Sequence, residues 1–272
     1  MQTTPLIEYM LNRKSIRKYT DVIPSDEIIQ SVVRAGQQAP FASQLYSVLL
    51  IRKIAGKKKQ GIPFGAPLLF TILIDLYKME QIMARRKWSF ITNDLFMLLF
   101  GAQDATLMAE NMVMAAESLG MGSCFLGATP YNTERIVKQY KLPKRTFPLV
   151  QLVMGFPAEN PPPRPRYPLE FVLFENEYPE LTDEMVTRAM QAMDEGYLSQ
   201  HYYRRLKALI PLENNRPETF TYENYSWTEH ISRKWGQWNR SPNELLGYFT
   251  KQGFDFQEEP LDIDAPDEDE EK

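Results

Sequence analysis

Residues 104–119 constrain this chain more than any other stretch. Ala105, Met108, Met112, Ala115 and Leu119 recur at spacings of 3, 4, 3 and 4, the period of an α-helix. The opposite face is also mostly apolar, with only Glu110, Asn111 and Glu117 in the middle. A helix apolar nearly all round belongs in a core or an interface. Gly120 stops it. Any fold for this chain is therefore built around one buried helix that starts at Asp104.

The flanking segments supply what packs against it. Residues 5–12 carry apolar side chains at 6, 7, 10 and 11, a helical stripe. Pro24-Ser25 opens a second helix, with Ser25 as cap, Asp26 and Glu27 at its positive end, and Ile28, Ile29, Val32 and Val33 facing inward. Residues 48–51, 68–74, 123–126, 149–154 and 171–174 read as strands, and the continuous apolar run 68–74 as one buried on both faces. Residues 79–100 read as helical, and 132–140 as another helix. Lys57-Lys58-Lys59 reads as a solvated loop, and the proline-rich stretch 157–168 as a stiff connector. Helices before, between and after strands argue an α/β (α+β) sandwich with a mixed central sheet.

Charge separates a tail from a body. The net charge is −4, but residues 258–272 hold nine acids and one lysine, leaving a body of 30 basic and 26 acidic residues. The tail reads as a disordered, solvated appendage. The mildly basic body suits a phosphate-bearing small ligand and is too weakly charged for nucleic acid. One cysteine excludes an intramolecular disulfide framework and any cysteine-built metal cage, and two histidines leave no obvious metal site. Cys124 reads as a small buried hydrophobe, and His201 and His230 as surface or partner-contact residues. Without an apolar leader or a spanning run the chain reads as cytoplasmic.

Several chemistries lack their motifs. No Gly-x-Gly-x-x-Gly follows a strand, no phosphate-binding Gly-Lys-Ser/Thr loop occurs, and no Gly-x-Ser-x-Gly marks a hydrolase. What stands out is basic. Arg13-Lys14-Ser15-Ile16-Arg17 places three cations and a hydroxyl within five residues, and Arg164-Pro165-Arg166 places two more on stiff chain. Guanidinium groups grip phosphate oxygens in pairs, and a serine adds a donor. Two such pairs could close on one anionic group.

With Ala39-Pro40, the buried helix through Gly122, and Gly127-Ala128 between them, these clusters resemble the FMN-dependent nitroreductase family over roughly residues 5 to 180. The resemblance implies phosphate contacts from Arg13, Ser15 and Arg17, with Lys14 or Arg17 near the N1–C2 edge of the flavin. Lys14 stands where Arg or His is usual. Residues 39–44 resemble the loop that reaches the flavin, but the family's Ala-Pro-Ser-Ser-x-Asn-x-Gln-Pro is one residue short here and lacks its Asn. Gln44 is then the ring partner, with Ser43 standing in for part of the rest. The turn after residues 120–126 implies backbone approach to the ring at Leu126, Gly127 and Ala128. Arg164 and Arg166 resemble the late phosphate motif, with Arg166 the principal ligand.

The C-terminal third, through Trp227-Thr228-Glu229-His230-Ile231 and residues 240–254, resembles the larger, NADPH-preferring, oxygen-insensitive subgroup. The implied protein is a homodimeric enzyme with FMN as cofactor and NADPH (or NADH) as co-substrate. It passes reducing equivalents to a nitroaromatic, quinone or similar small acceptor in a ping-pong cycle. No side chain is assigned as a dedicated acid or base, and no metal, nucleic acid or membrane is implied. A flavin-binding sensor with little turnover, a flavin reductase and a reductive dehalogenase are the alternatives. The division expected is 1–180 as the FMN-binding domain, 181–257 as an extension packing on the dimer, and 258–272 as the tail. The extension, rich in aromatics but weak in periodicity, is expected to lack its own core. Its cations Arg204, Arg205, Arg233 and Lys234 are expected at the NADPH entrance.

Overall fold

Strand pairing organises the larger part of the molecule, seen in a computed structural model that describes residues 2–54, 61–90, 93–237 and 241–256. The lysines at 57–59 and the acidic tail at 258–272 lie outside the described residues. Four strands, β1 (Tyr46–Arg52), β2 (Leu68–Asp75), β3 (Gly122–Leu126) and β4 (Thr146–Gly155), form a sheet in the order β1-β2-β4-β3. All three pairings are antiparallel, Tyr46 opposing Ile74, Leu68 opposing Met154 and Cys124 opposing Val153. Every residue of β2 is buried, as its unbroken apolar run predicts.

On one face lie α2 (Asp26–Gln37) and the 25-residue α4 (Asp94–Ser118). Ala105, Met108, Ala109, Met112, Val113 and Ala116 of α4 share a core with Ile29 and Val32 of α2 and with Phe70, Ile72, Leu152 and Met154 of the sheet. A Cβ on Gly36 would meet Met112 Cγ at 2.6 Å, so a glycine lets the end of α2 lie against α4. The opposite face of β2 and β4 packs Leu69 and Val153 with Ala66 and Cys124. Cys124 is the small buried hydrophobe expected, 2% exposed. Helix α9 (Pro242–Lys251) returns to this same part of the molecule, stacking Phe249 on Phe147 of β4 at 4.0 Å.

The buried helix is longer than its sequence pattern predicts. It begins at Asp94, capped by Asn93, whose side chain accepts from the amides of Leu95 and Phe96. Asp104 is an interior residue of it, not its first. Residues 79–100 resolve into α3 (Tyr77–Arg85) and the first turns of α4. The strand expected at 171–174 is not formed. Residues Leu169–Phe171 make a single 3-10 turn instead, after Pro168, which cannot donate to a ladder. Helix α5 (Thr133–Tyr140) follows the expected 132–140 closely.

The chain divides into two compact units, the one just described (residues 16–159 and 242–272) and another made of residues 1–15 and 160–241. The second unit holds α1 (Pro5–Leu11), α6 (Asp183–Ser199), α7 (Tyr202–Leu206) and α8 (Trp227–Gly236). Contrary to expectation it has a core of its own. Met193, Tyr197, Tyr203 and Tyr225 are buried together, flanked by Tyr202, Phe220 and Trp227. Rings meeting edge to face or stacked replace the aliphatic periodicity that the sequence lacks. Arg233 is buried in this cluster at 4% exposure. It is paired with Glu218 at 2.6 Å and with Glu229 at 2.7 Å. It serves this core and is not a cation open to an incoming nucleotide.

Candidate active site

In the sheet unit, the basic segment is docked on β3 by its own backbone. The amide of Ile16 donates to the carbonyl of Ser123 at 2.8 Å. An added Cβ on Gly122 would meet Ile16 Cγ1 at 2.4 Å, so only glycine admits this approach. Further along, Thr20 donates to Phe156, Ala158 donates to Lys18, and Tyr19 bridges Pro157. The Glu159 carboxylate accepts from the amides of Arg17, at 2.6 Å, and Lys18, at 3.1 Å. Tyr19 donates to the carbonyl of Ile16 at 2.5 Å. Burial, then the neighbouring Cys124, pushes the Tyr19 phenol well above its ordinary range, so it stays a donor. The result is a stiff extended segment with the Arg17 side chain exposed, its guanidinium 6.0 Å from the centre of the Phe64 ring.

At the other end of β3, Leu126, Gly127 and Ala128 form a turn. Thr129 Oγ1 donates to the Leu126 carbonyl at 2.6 Å and accepts from the Gln151 amide at 2.8 Å, while Asn132 holds the Ala128 carbonyl at 2.9 Å. Gly127 and Ala128 are exposed. A Cβ on Gly127 would meet nothing within 4 Å, so the protein itself does not require a glycine there.

Ser43 and Gln44 are exposed on the loop before β1. Gln44 has φ 53, an uncommon left-handed backbone for a side chain of its size. The loop is wrapped around one buried acid. Asp104, 1% exposed, accepts from the amides of Ala42 at 2.6 Å, Ser43 at 3.0 Å and Leu45 at 3.0 Å. Burial, and then the charge of Asp104, raises the Tyr46 phenol above its usual range. The sequence reading missed Asp104 as a site residue by placing it at a helix start. An acid in register with Gly101, Ala105 and Met108 was the available signal. Glu159 had none, because its partners lie 141 and 142 residues away.

The second unit carries the remaining candidates. Arg13, Lys14 and Ser15 are half-buried just after α1. Arg164 stacks its guanidinium 3.6 Å over the Tyr202 ring, and Arg166 folds one nitrogen onto the carbonyls of Arg164 and Pro165, each at 3.0 Å. Gln200 holds the Pro163 carbonyl at 2.9 Å, and Pro165 fills the space beside Gly196. The proline thus fixes the two arginines against α6. His201 is exposed, whereas His230 is half-buried, 4.5 Å from the Tyr203 ring and bonded through Nδ1 to the Tyr225 hydroxyl at 3.1 Å. Neither histidine belongs to a metal cluster among the described residues.

Comparison with known proteins places this arrangement. The model of the nitroreductase family matches residues 49–156. An FMN reductase (NADPH) of Bacillus subtilis is 31% identical over 211 residues, 73% of this chain and 84% of that protein. An oxygen-insensitive NADPH nitroreductase of Salmonella typhimurium is 29% identical over 262 residues, 92% of this chain and 98% of that protein. The solved structure of the B. subtilis NfrA1 nitroreductase superposes with a TM-score of 0.74 at 26% identity, over 92% of this chain and 98% of that one. The chain belongs to the nitroreductase family, as its basic segment, β3 turn and late arginine pair suggest.

Proposed function

We propose that this NAD(P)H-dependent FMN oxidoreductase of the nitroreductase type holds its flavin with the residues singled out above and works by a ping-pong cycle. The observation that carries the assignment of residues is the Ile16–Ser123 hydrogen bond. It lays the basic segment on β3, the strand that leads into the exposed Leu126–Ala128 turn. The donor set suits FMN. Arg13, Ser15, Arg17, Arg164 and Arg166 offer the cations and hydroxyl a phosphate takes. Lys14 offers a positive charge to the N1–C2 edge. Gln44, with both amide donor and acceptor, and Ser43 suit the polar edge of the ring. The backbone at Leu126, Gly127 and Ala128 has open space in front of Gly127 for close approach. When bound, FMN supplies the hydride chemistry, accepting from NAD(P)H and giving to a nitroaromatic, quinone or similar small acceptor. The side chains bind and orient, and none is assigned a proton-transfer step.

The protein acts as a cytoplasmic homodimer. Leu95, Phe96, Leu99 and Phe100 of α4 are exposed, and an apolar cleft of about 490 Å³ lies beside them, lined by Leu98, Leu246, Phe249 and Phe256 among others. Such a patch marks an association surface. No helix among the described residues is long and apolar enough to cross a membrane. Residues 16–159 carry most of the flavin-binding part, and the extension from 181 onward is assigned to packing on the dimer.

Purified protein tests this directly. It should carry FMN, and initial rates with NADPH and a quinone varied together should give parallel double-reciprocal lines. Intersecting lines would exclude the ping-pong cycle, and a colourless protein unable to bind added FMN would overturn the assignment.

A further inference from the structure

An acid at an interior, buried position of an apolar helix is costly unless its charge is fully engaged. Among the described residues no cation pairs with Asp104. Its partners among the described residues are backbone amides, from Ala42, Ser43 and Leu45. The set skips Gln44. With φ 53 that residue turns out of the series and stands exposed at the tip. A non-glycine residue there is strained, and the charge-assisted bonds on either side offset that strain. The approach of helix to loop is enforced one turn away. An added Cβ at Gly101 would meet Ile74 Cγ2 at 2.5 Å and Leu45 Cβ at 3.6 Å.

We propose that Asp104 is a positioning residue. By gathering the amides of 42, 43 and 45 it fixes the exposed Gln44 in its turned conformation and so presents it to the flavin ring. The inference rests on the reading of Gln44 as a ring contact. It also explains how a loop shorter than the family pattern, and without its Asn, keeps a defined shape: order comes from a carboxylate behind the loop.

Asp104→Asn is the sharp variant. An asparagine has one acceptor oxygen, and its amide group would face at least one N–H, donor against donor. The measurements are hydrogen exchange of the peptide covering residues 41–46 and FMN affinity, on full-length protein. Asp104→Asn should speed exchange in that peptide at least tenfold and weaken FMN binding roughly tenfold, a change of about 1.4 kcal/mol. Gln44→Ala should weaken FMN to a similar degree. The double variant should be little worse than the weaker-binding single, because both act through one contact.

Unchanged exchange in Asp104→Asn, or additive losses in the double variant, would overturn the positioning role. If Gln44→Ala leaves FMN affinity intact, the flavin reading of Gln44 fails, and the exchange result still reports whether Asp104 holds the loop. If Asp104→Asn does not fold, Asp104→Glu, which keeps the charge and displaces it by a methylene, is measured the same way. Failure of both to fold would make Asp104 a purely structural acid and overturn the proposal.

Discussion

Arg145 grips Asp94 with two nitrogens, one on each carboxylate oxygen, both at 2.6 Å. The same Asp94 accepts the Asp255 amide at 2.7 Å, and Arg145 reaches the Gly253 carbonyl at 2.8 Å. One ion pair therefore fastens the segment after α9 to the first turn of α4, beside the apolar patch assigned to the dimer. Burial raises the Asp94 carboxyl, but the Arg145 hydrogen bonds, the Asp255 amide and the Arg145 charge together hold it below its ordinary value. Asp94→Asn leaves Arg145 half-satisfied. Because Glu80 still pairs with Arg145, the loss should be that of charge-assisted hydrogen bonds, roughly 1.5–3 kcal/mol. Urea unfolding monitored by far-ultraviolet circular dichroism checks this, and a loss below about 0.5 kcal/mol, the ordinary surface range, would show that the fastening is idle.

Acid should loosen the second unit through Glu218. Hydrogen bonds from Arg233, first of all, bring its carboxyl down to about 2. The unfolded chain takes up that proton near pH 4.3 and the folded chain only near 2. The stabilisation is therefore complete above about pH 4.5 and is lost as pH falls toward 2. Trp227 and Trp235 on α8 report the event by fluorescence. Glu218→Gln should flatten the pH dependence of stability in that window, and an unaltered slope would refute the coupling.

Two glycines should behave oppositely. Gly122→Ala drives a methyl into Ile16 and should cost roughly 1–3 kcal/mol, with weaker FMN binding because the basic segment shifts. Gly127→Ala meets open space and should leave stability within about 0.5 kcal/mol. If the flavin lies against that turn, FMN affinity falls all the same. Chemical denaturation and fluorescence titration separate the two, and undiminished FMN affinity in Gly127→Ala argues against close approach there.

The apolar patch at the start of α4 gives a prediction about assembly. Leu95→Asp with Leu99→Asp places two charges on a surface whose residues are 65% and 54% exposed in the single chain. The chain should still fold, because neither side chain belongs to its core. Sedimentation velocity should show the variant as a monomer where the unaltered protein is a dimer. A variant that remains dimeric would move the interface elsewhere.

Much of this was legible in the residues. Asp26, Glu27 and Ser25 gave the start of α2 because capping is local. The unbroken run at 68–74 gave β2 because a strand buried on both faces has no polar side to show. The start of α4 was hidden for a related reason. A helix apolar all round has no polar stripe to date its beginning, and Asp104 resembles an N-terminal acid until the loop that it binds, some 60 residues earlier, is seen. Arg233 reads as a surface cation in the sequence because Glu229 is the one acid near it along the chain. Its second partner, Glu218, and the rings above it arrive only with the tertiary fold. The Tyr197–Tyr203–Tyr225 core has no aliphatic period and so left no pattern.

Arg17 is the clearest single test of cofactor retention. Arg17→Ala should weaken FMN binding about ten- to a hundredfold, the loss of a charge-assisted contact of roughly 1.5–3 kcal/mol. The backbone bonds from residues 16, 17 and 18 remain, so the fold should not change. Equal affinity in the folded variant would remove Arg17 from the phosphate site.

The most direct measurement is an anaerobic titration of the FMN-loaded protein with NADPH, followed by its visible flavin absorbance. The account predicts stoichiometric bleaching by NADPH, then full return of colour on adding a quinone or nitroaromatic in the absence of oxygen. A flavin that stays oxidised under excess NADPH, or that is reduced but cannot pass its electrons on, would contradict it.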